Sequence, residues 1–315
     1  MRPQAWLVYF LPMYPLIYKV TRIISLGTFL WLHNMAEGTL RAQDNHDNAA
    51  TWDLKVFPHG ELFLPLIADP TQPMFRLGVL AVDSDLDQTW VGLAAVGETF
   101  GLFRLIDTSQ NRALQLDVSG GVFSQFDLLG ESSDLINADY LIGMPITYRH
   151  SAYSMRLRFY HQSSHLGDEF LLRNNPPRIN LSFESLELLL SAQFRSLRLY
   201  GGGEYLVRTD PDDLDSGLLH LGAEYLHATP LIRFKTDNIC RALAALDAKL
   251  WQENSYEPSV NLKLGIELGT DNDPRQEERT LRILLEGYRG LAPYGQFFTQ
   301  SVQIWSYGLE IQLSL

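Results

Sequence analysis

From Phe75 onward the chain is written with a period of two: short segments in which apolar and polar residues alternate, divided by turn-rich clusters. Successive side chains of a strand point to opposite faces, so each segment offers one greasy and one polar surface. About twelve such segments can be drawn, at 74–83, 89–106, 113–127, 136–149, 153–165, 179–194, 197–208, 217–227, 231–252, 257–269, 279–289 and 301–315. The ninth is the least regular, with 235–245 hard to place as strand. The pattern predicts an all-β meander, and an even count lets a closed barrel begin and end on one side.

Lipid, rather than a soluble core, is the expected surroundings. The 315 residues are 46% hydrophobic with a mean hydropathy of -0.08, and from Phe75 on they lack the long apolar runs that membrane helices require. A transmembrane barrel hides its hydrophobicity in alternation, so average composition is compatible with one. In 136–149 one face reads Tyr140, Ile142, Met144, Ile146, Tyr148, an aliphatic band bracketed by tyrosines that spans roughly 20 Å once strands tilt. The last segment puts Trp305, Tyr307, Leu309, Ile311, Leu313 and Leu315 on one face, and Ser306, Gly308, Glu310, Gln312 and Ser314 on the other. The fold expectation is a transmembrane antiparallel β-barrel of about twelve strands over 74–315. Connections near 150–152, 194–196 and 227–230 are short, as periplasmic turns are, and those near 166–178, 209–216 and 290–300 are long. The acidic connection 270–278 breaks that rule.

Ahead of the barrel, Lys19 and Arg22 precede the apolar run Ile23–Leu32, and small residues follow at Ala36 and Ala42. That order predicts a secretory signal over 1–42. Residues 43–73, polar at first and then rich in proline, read as an extended leader lying before or inside the barrel. The net charge is -12, and losing 1–42 would remove more basic than acidic residues. An acidic exported chain is a poor nucleic-acid binder, so no nucleic-acid partner is expected. Cys240 is the single cysteine, which excludes an intramolecular disulfide and reads as a buried inert thiol.

The strand 153–165 carries the candidate chemistry. Tyr153, Met155, Leu157 and Phe159 form its greasy face, which runs into His161 and Ser163, while Arg156, Arg158 and Tyr160 occupy the other. Pairing it with 136–149 places Tyr148 opposite Tyr153, Ile146 opposite Met155 and Tyr140 opposite His161. In the next strand Asn180, Ser182 and Glu184 lead into Leu186, Leu188 and Leu190. Aligning greasy with greasy sets Leu186 beside Phe159, Glu184 beside His161, Ser182 beside Ser163 and Asn180 beside His165. Opposed residues on one face are close enough to hydrogen-bond. A hydroxyl becomes a useful nucleophile when an imidazole takes its proton, and a third polar group orients that imidazole. The same residues also suit a purely interfacial polar rim. Asp168 and Glu169 in the adjoining loop form a candidate Ca²⁺ pair, and His161 with His165 a weaker metal pair. Gly201-Gly202-Gly203 lacks the context of a phosphate loop and is expected to allow close packing against a lumenal plug. Arg156, Arg158, Gln162 and Asp139 are expected to face the lumen.

His161-Gln162-Ser163 resembles the His-Gln-Ser of outer-membrane phospholipase A, a twelve-stranded barrel with Ser, His and Asn on its lipid-facing wall. It is also similar to the His-x-Ser of the lipid A deacylases, which use Glu as third member. The resemblance implies Ser163 as nucleophile, His161 as base, and Glu184 or Asn180 as the orienting group. Both families continue with Asn and a small residue, where this chain has Ser164 and His165. More broadly, Phe57-Pro58-His59-Gly60-Glu61-Leu62-Phe63, Ile67-Ala68-Asp69-Pro70, Gly121–Asp127, Asp134–Tyr140 and His161–Phe170 resemble an uncharacterised bacterial family of barrels, a domain of unknown function. Two functions follow as expectations: a serine acyl hydrolase of phospholipid or lipid A in the bacterial outer membrane, or a non-enzymatic barrel serving envelope structure or small-solute passage. Outer-membrane lipid is the expected partner; the oligomeric state is left open, a homodimer included.

Overall fold

A computed structural model describes residues 52–84, 88–130, 132–176, 181–235, 238–270, 280–298 and 301–314. The signal expected over 1–42 lies outside them. One antiparallel sheet contains fourteen strands: β1 (Asp53–Val56), β2 (Phe75–Ser84), β3 (Gln88–Asp107), β4 (Arg112–Asp127), β5 (Leu135–His150), β6 (Tyr153–Leu166), β7 (Leu181–Phe194), β8 (Leu197–Asp210), β9 (Gly217–Leu226), β10 (Ile232–Arg233), β11 (Asn238–Trp251), β12 (Pro258–Thr270), β13 (Thr280–Leu291) and β14 (Ser301–Ser314). Twelve of them close into a ring, because β2 pairs with both β3 and β14 and each other member pairs with its neighbours. The two exceptions are appendages: β1 lies along Phe103–Ile106 of β3, and β10 folds back on Ile239 and Cys240. Closure pairs each ring strand on both sides, with one interruption in the β14–β2 ladder between Trp305 and Ile311, and leaves the ring no free edge.

The wall is inverted relative to a soluble protein. Its outward positions include Leu77, Ile142, Phe159, Leu188, Tyr205 and Leu285, all exposed, whereas inward positions around the ring hold Arg76, Arg156, Arg158, Glu187, Asp247 and Lys263, all buried. On β5 the tyrosine-bracketed band emerges as expected: Tyr140, Ile142, Met144 and Ile146 are exposed and Tyr148 is half-buried. Arg156, Arg158, Gln162 and Asp139 face the lumen, and Cys240 is a buried free thiol.

Three local expectations are corrected. Ser151 and Ala152 alone turn β5 into β6, with Ser151 at φ 55, so His150 rather than Tyr148 opposes Tyr153. The whole pair is shifted by two residues: Met155 faces Tyr148, His161 faces Ile142, and Tyr140 faces Ser163. The faces survive, since a two-residue slip preserves parity. The segment 231–252 is not one strand; the chain bends after β10 and β11 starts at Asn238. Gly202 packs against strand backbone rather than a plug, because an added Cβ would strike the Leu188 carbonyl of β7. The faces assigned to the last strand from Trp305 on, and Leu315, lie outside the described side chains.

The leader enters the lumen. After β1, residues 58–74 are largely buried, and inward arginines hold their backbone oxygens. Arg104 donates to His59 O and Gly60 O at 2.8 and 2.7 Å, Arg198 to Leu64 O at 2.8 Å, and Arg76 to Pro70 O at 2.7 Å. Phe63 lies between the guanidinium groups of Arg156 and Arg198, which sit 4.7 and 4.8 Å from its ring centre. At the other end, the connection after β13 folds inward. Tyr294 donates to Pro70 O at 3.4 Å and Gln296 to Ser164 O at 3.0 Å.

Candidate functional site

The register of β6 with β7 is the one the greasy-to-polar transitions predict. Phe159 pairs with Leu186, His161 with Glu184 and Ser163 with Ser182. Tyr160, Gln162 and Ser164 are buried in the lumen, so His161 and Ser163, of opposite parity, look outward. The His161 and Glu184 side chains are 40% and 27% exposed, immediately beyond the exposed Phe159 and Leu186.

His161 Nδ1 and Glu184 Oε1 are 3.1 Å apart. A carboxylate at that distance assigns the ring proton to Nδ1 and leaves the lone pair of Nε2 available as a base. Ser163 sits two residues along the same strand, about 6.6 Å away in rise. Its hydroxyl has no hydrogen-bond partner among the described residues, and it does not bond to His161. His165 closes the far side, its ring meeting Tyr140 edge-on at 5.7 Å. Behind Glu184 an irregularity between β7 and β8 turns Arg208 to its level. Ser164, the residue after the candidate nucleophile, points into the lumen and is buried.

The remaining candidates are not gathered here. Asn180 lies outside the described residues. Asp168 and Glu169 occupy the first turn of α1 (Asp168–Asn174), both exposed. Among the described residues no three His, Cys, Asp or Glu side chains come together as a metal cluster, so neither this pair nor His161 with His165 gains a third ligand. The short helix is held instead through Arg173, which pairs with Asp134 and lies 3.7 Å from Asp127.

A second concentration of polar chemistry fills the lumen. Glu187 accepts from Arg156 and Arg158 at 2.9 and 2.8 Å, and Glu224 from Arg198 at 3.0 Å. Asp247 Oδ2 takes hydrogen bonds from both His220 and Tyr200 at 2.6 Å. Glu204 Oε1 accepts from Ser185 at 2.6 Å and from the Tyr160 hydroxyl. Lys249 reaches the leader, donating to Asp69 and Thr71 at 2.7 Å each. Burial alone would raise the Asp69 carboxyl, but the Lys249 ammonium, with His220, outweighs it and holds it well below the usual range. Glu61 goes the other way: burial, reinforced by Asp117 and Glu98 against the pull of Arg156, pushes it up to about 8.

The match to a family model then places the molecule. The chain belongs to the DUF1207 family of proteins of unknown function. The match covers residues 39–313. No curated protein matches the chain. Among solved structures, the β domain of the Bordetella autotransporter BrkA is similar, with 14% identity and a TM-score of 0.42 over 77% of this chain and 98% of that one.

Reading the sequence identified the outward residues and missed most of the inward ones. The signal was present: Arg198, Glu204, His220, Glu224, Asp247 and Lys249 all fall on the polar parity of their strands. Their partners on the leader, Asp69 and Thr71, were not findable, since that segment has no alternation to reveal its path.

Proposed function

We propose that this chain is an outer-membrane β-barrel of a Gram-negative envelope whose outer wall hydrolyses acyl esters of membrane lipid. A ring with aliphatic residues outside and ionised residues inside is stable where the outside meets hydrocarbon, which supports the membrane setting; export would be directed by residues 1–42. The observation that carries the chemistry is the 3.1 Å contact of His161 with Glu184, on the outward face beside Ser163. An ester lying in the outer leaflet would approach from the side, its acyl chain against Phe159 and Leu186. His161 Nε2 removes the proton of Ser163 as its Oγ attacks the acyl carbonyl carbon. Collapse of the tetrahedral adduct breaks the bond to the alcohol oxygen, which receives that proton, and leaves an acyl-serine. Water, activated by the same imidazole, then releases the fatty acid. Glu184 orients the ring and stabilises its protonated form.

The detergent-purified full chain should label with a fluorophosphonate and release fatty acid from ester lipid. Ser163→Ala should abolish both, and His161→Ala should lower turnover by about 10²–10⁴. Equal turnover by Ser163→Ala overturns the reading. One observation favours a second reading: the leader and the connection after β13 pack the lumen, as they would in an envelope barrel without catalysis. That reading predicts no labelling and an envelope phenotype indifferent to Ser163.

A further inference from the structure

Between the leader and the inturned connection after β13, the lumen keeps a chamber of about 90 Å³. Pro70 and Thr71 form its floor, and residues from Leu291 to Phe298 form its roof. It is independent of the outer-wall site, because its walls are inward residues of β6 to β9 and β11 to β13. Five aromatic rings line it, Tyr160, Phe183, Trp251, Tyr288 and Phe298, together with five leucines.

The charges on those walls are unequal. Glu204 and Asp247 line the chamber, with Asp215 and Glu253 exposed at the loop ends beside it, and Lys249 is the single lysine or arginine in the lining. That ammonium is already committed to Asp69 and Thr71 of the floor. Each buried carboxylate spends one oxygen on the wall: Glu204 Oε1 on Tyr160 and Ser185, Asp247 Oδ2 on Tyr200 and His220. The second oxygen of each has no hydrogen-bond partner among the described residues. The buried Gln162, also in the lining, likewise makes no side-chain hydrogen bond among them.

Aromatic faces attract cations through their quadrupoles, and do so most strongly where water is excluded. Carboxylate oxygens left over in such a box want a positive charge, while the surrounding rings and leucines want apolar surface. We infer that this chamber is a binding site for a small organic ammonium ion, a cation carrying its own methyl or methylene groups. A volume of about 90 Å³ suits about four non-hydrogen atoms, in proportion to the cavity of about 150 Å³ that accepts benzene; that is the size of a trimethylammonium head, with any longer substituent extending toward Asp215 and Glu253 at the loop ends.

Choline and its uncharged isostere 3,3-dimethyl-1-butanol make the test, by calorimetry on the full chain in detergent. Choline binds saturably and the alcohol does not compete. Glu204→Gln raises the choline Kd at least tenfold, as loss of a charge-assisted contact does, and Trp251→Leu weakens it as well. Glu184→Gln, on the outer wall, leaves it unchanged. Heat-modifiable gel mobility verifies that each variant is folded, and if Glu204→Gln is not, Trp251→Leu carries the comparison. Absence of saturable choline binding by the folded parent, equal binding of the alcohol, or unaltered binding by both folded variants overturns the inference.

Discussion

Arg198 grips the leader at two carbonyl oxygens and one ring, and removing it puts the lumenal architecture to a quantitative test. Its guanidinium donates to Leu64 O at 2.8 Å and Pro65 O at 3.3 Å, to Ser191 at 2.9 Å and to Glu224 at 3.0 Å, and lies over Phe63. The Arg198 and Glu224 side chains are 5% and 8% exposed. Arg198→Met retains much of the volume but leaves Glu224 buried without its cation and two leader carbonyls without donors. Breaking such a pair costs about 3–5 kcal/mol. If that cost falls on the seated leader rather than on the ring, whose ladder is unaltered, the equilibrium for leader release rises roughly a hundred- to a few-thousand-fold. Two assays read this: limited proteolysis of residues 52–74 in detergent, and single-channel conductance in planar bilayers. The variant should be cut faster in the leader and should show open bursts that the parent lacks, while Arg195→Met, in an exposed turn, behaves as the parent. Parental protection and parental conductance in Arg198→Met would refute the claim that lumenal arginines hold the leader in place.

Two further perturbations follow from the same geometry. The Glu61 carboxyl is raised from 4.5 to about 8, so the stability it contributes is fully present below pH 4.5 and lost as pH rises through about 8, where its charge joins those of Asp117 and Glu98. Leader protection should therefore decline across that window, and Glu61→Gln should flatten the decline; an identical profile would remove Glu61 as the cause. Gly222 faces the Tyr200 ring so closely that an added Cβ would overlap it. Gly222→Ala should displace Tyr200 from Asp247 and lower stability by about 1–3 kcal/mol, read as an earlier urea midpoint, and an unmoved midpoint would show that the ring gives way freely.

Most of the barrel could be read from the chain because its wall is two-sided, and parity is the simplest periodic signal a sequence carries. Strands such as β5, β6 and β8 fall within two residues of their expected bounds. The pairing of His161 with Glu184 was legible for a specific reason: both strands pass from apolar to polar at one height, after Phe159 on β6 and at Leu186 on β7, so only one alignment keeps the greasy rows level. The β5–β6 register was not legible that way, since its greasy row is long enough to tolerate a slip of two, and the tight turn at Ser151 decided it. The bend before β11 was obscured by the apolar residues Leu231 and Ile232, which look like strand but serve a two-residue appendage. The leader's route follows from long-range grips on its carbonyl oxygens, which carry no side-chain code.

The ring is completed where β14 meets β2, a seam whose ladder is interrupted between Trp305 and Ile311. These are the last and first strands of the ring, and the leader immediately precedes the first. A leader laid down before the seam zips meets Arg76, Arg104 and Arg198 as the wall arrives, whereas one that re-enters a closed ring threads residues 58–74 from the end. Wrapping the wall around a leader already in place, much as a barrel is coopered around its contents, spares it that threading.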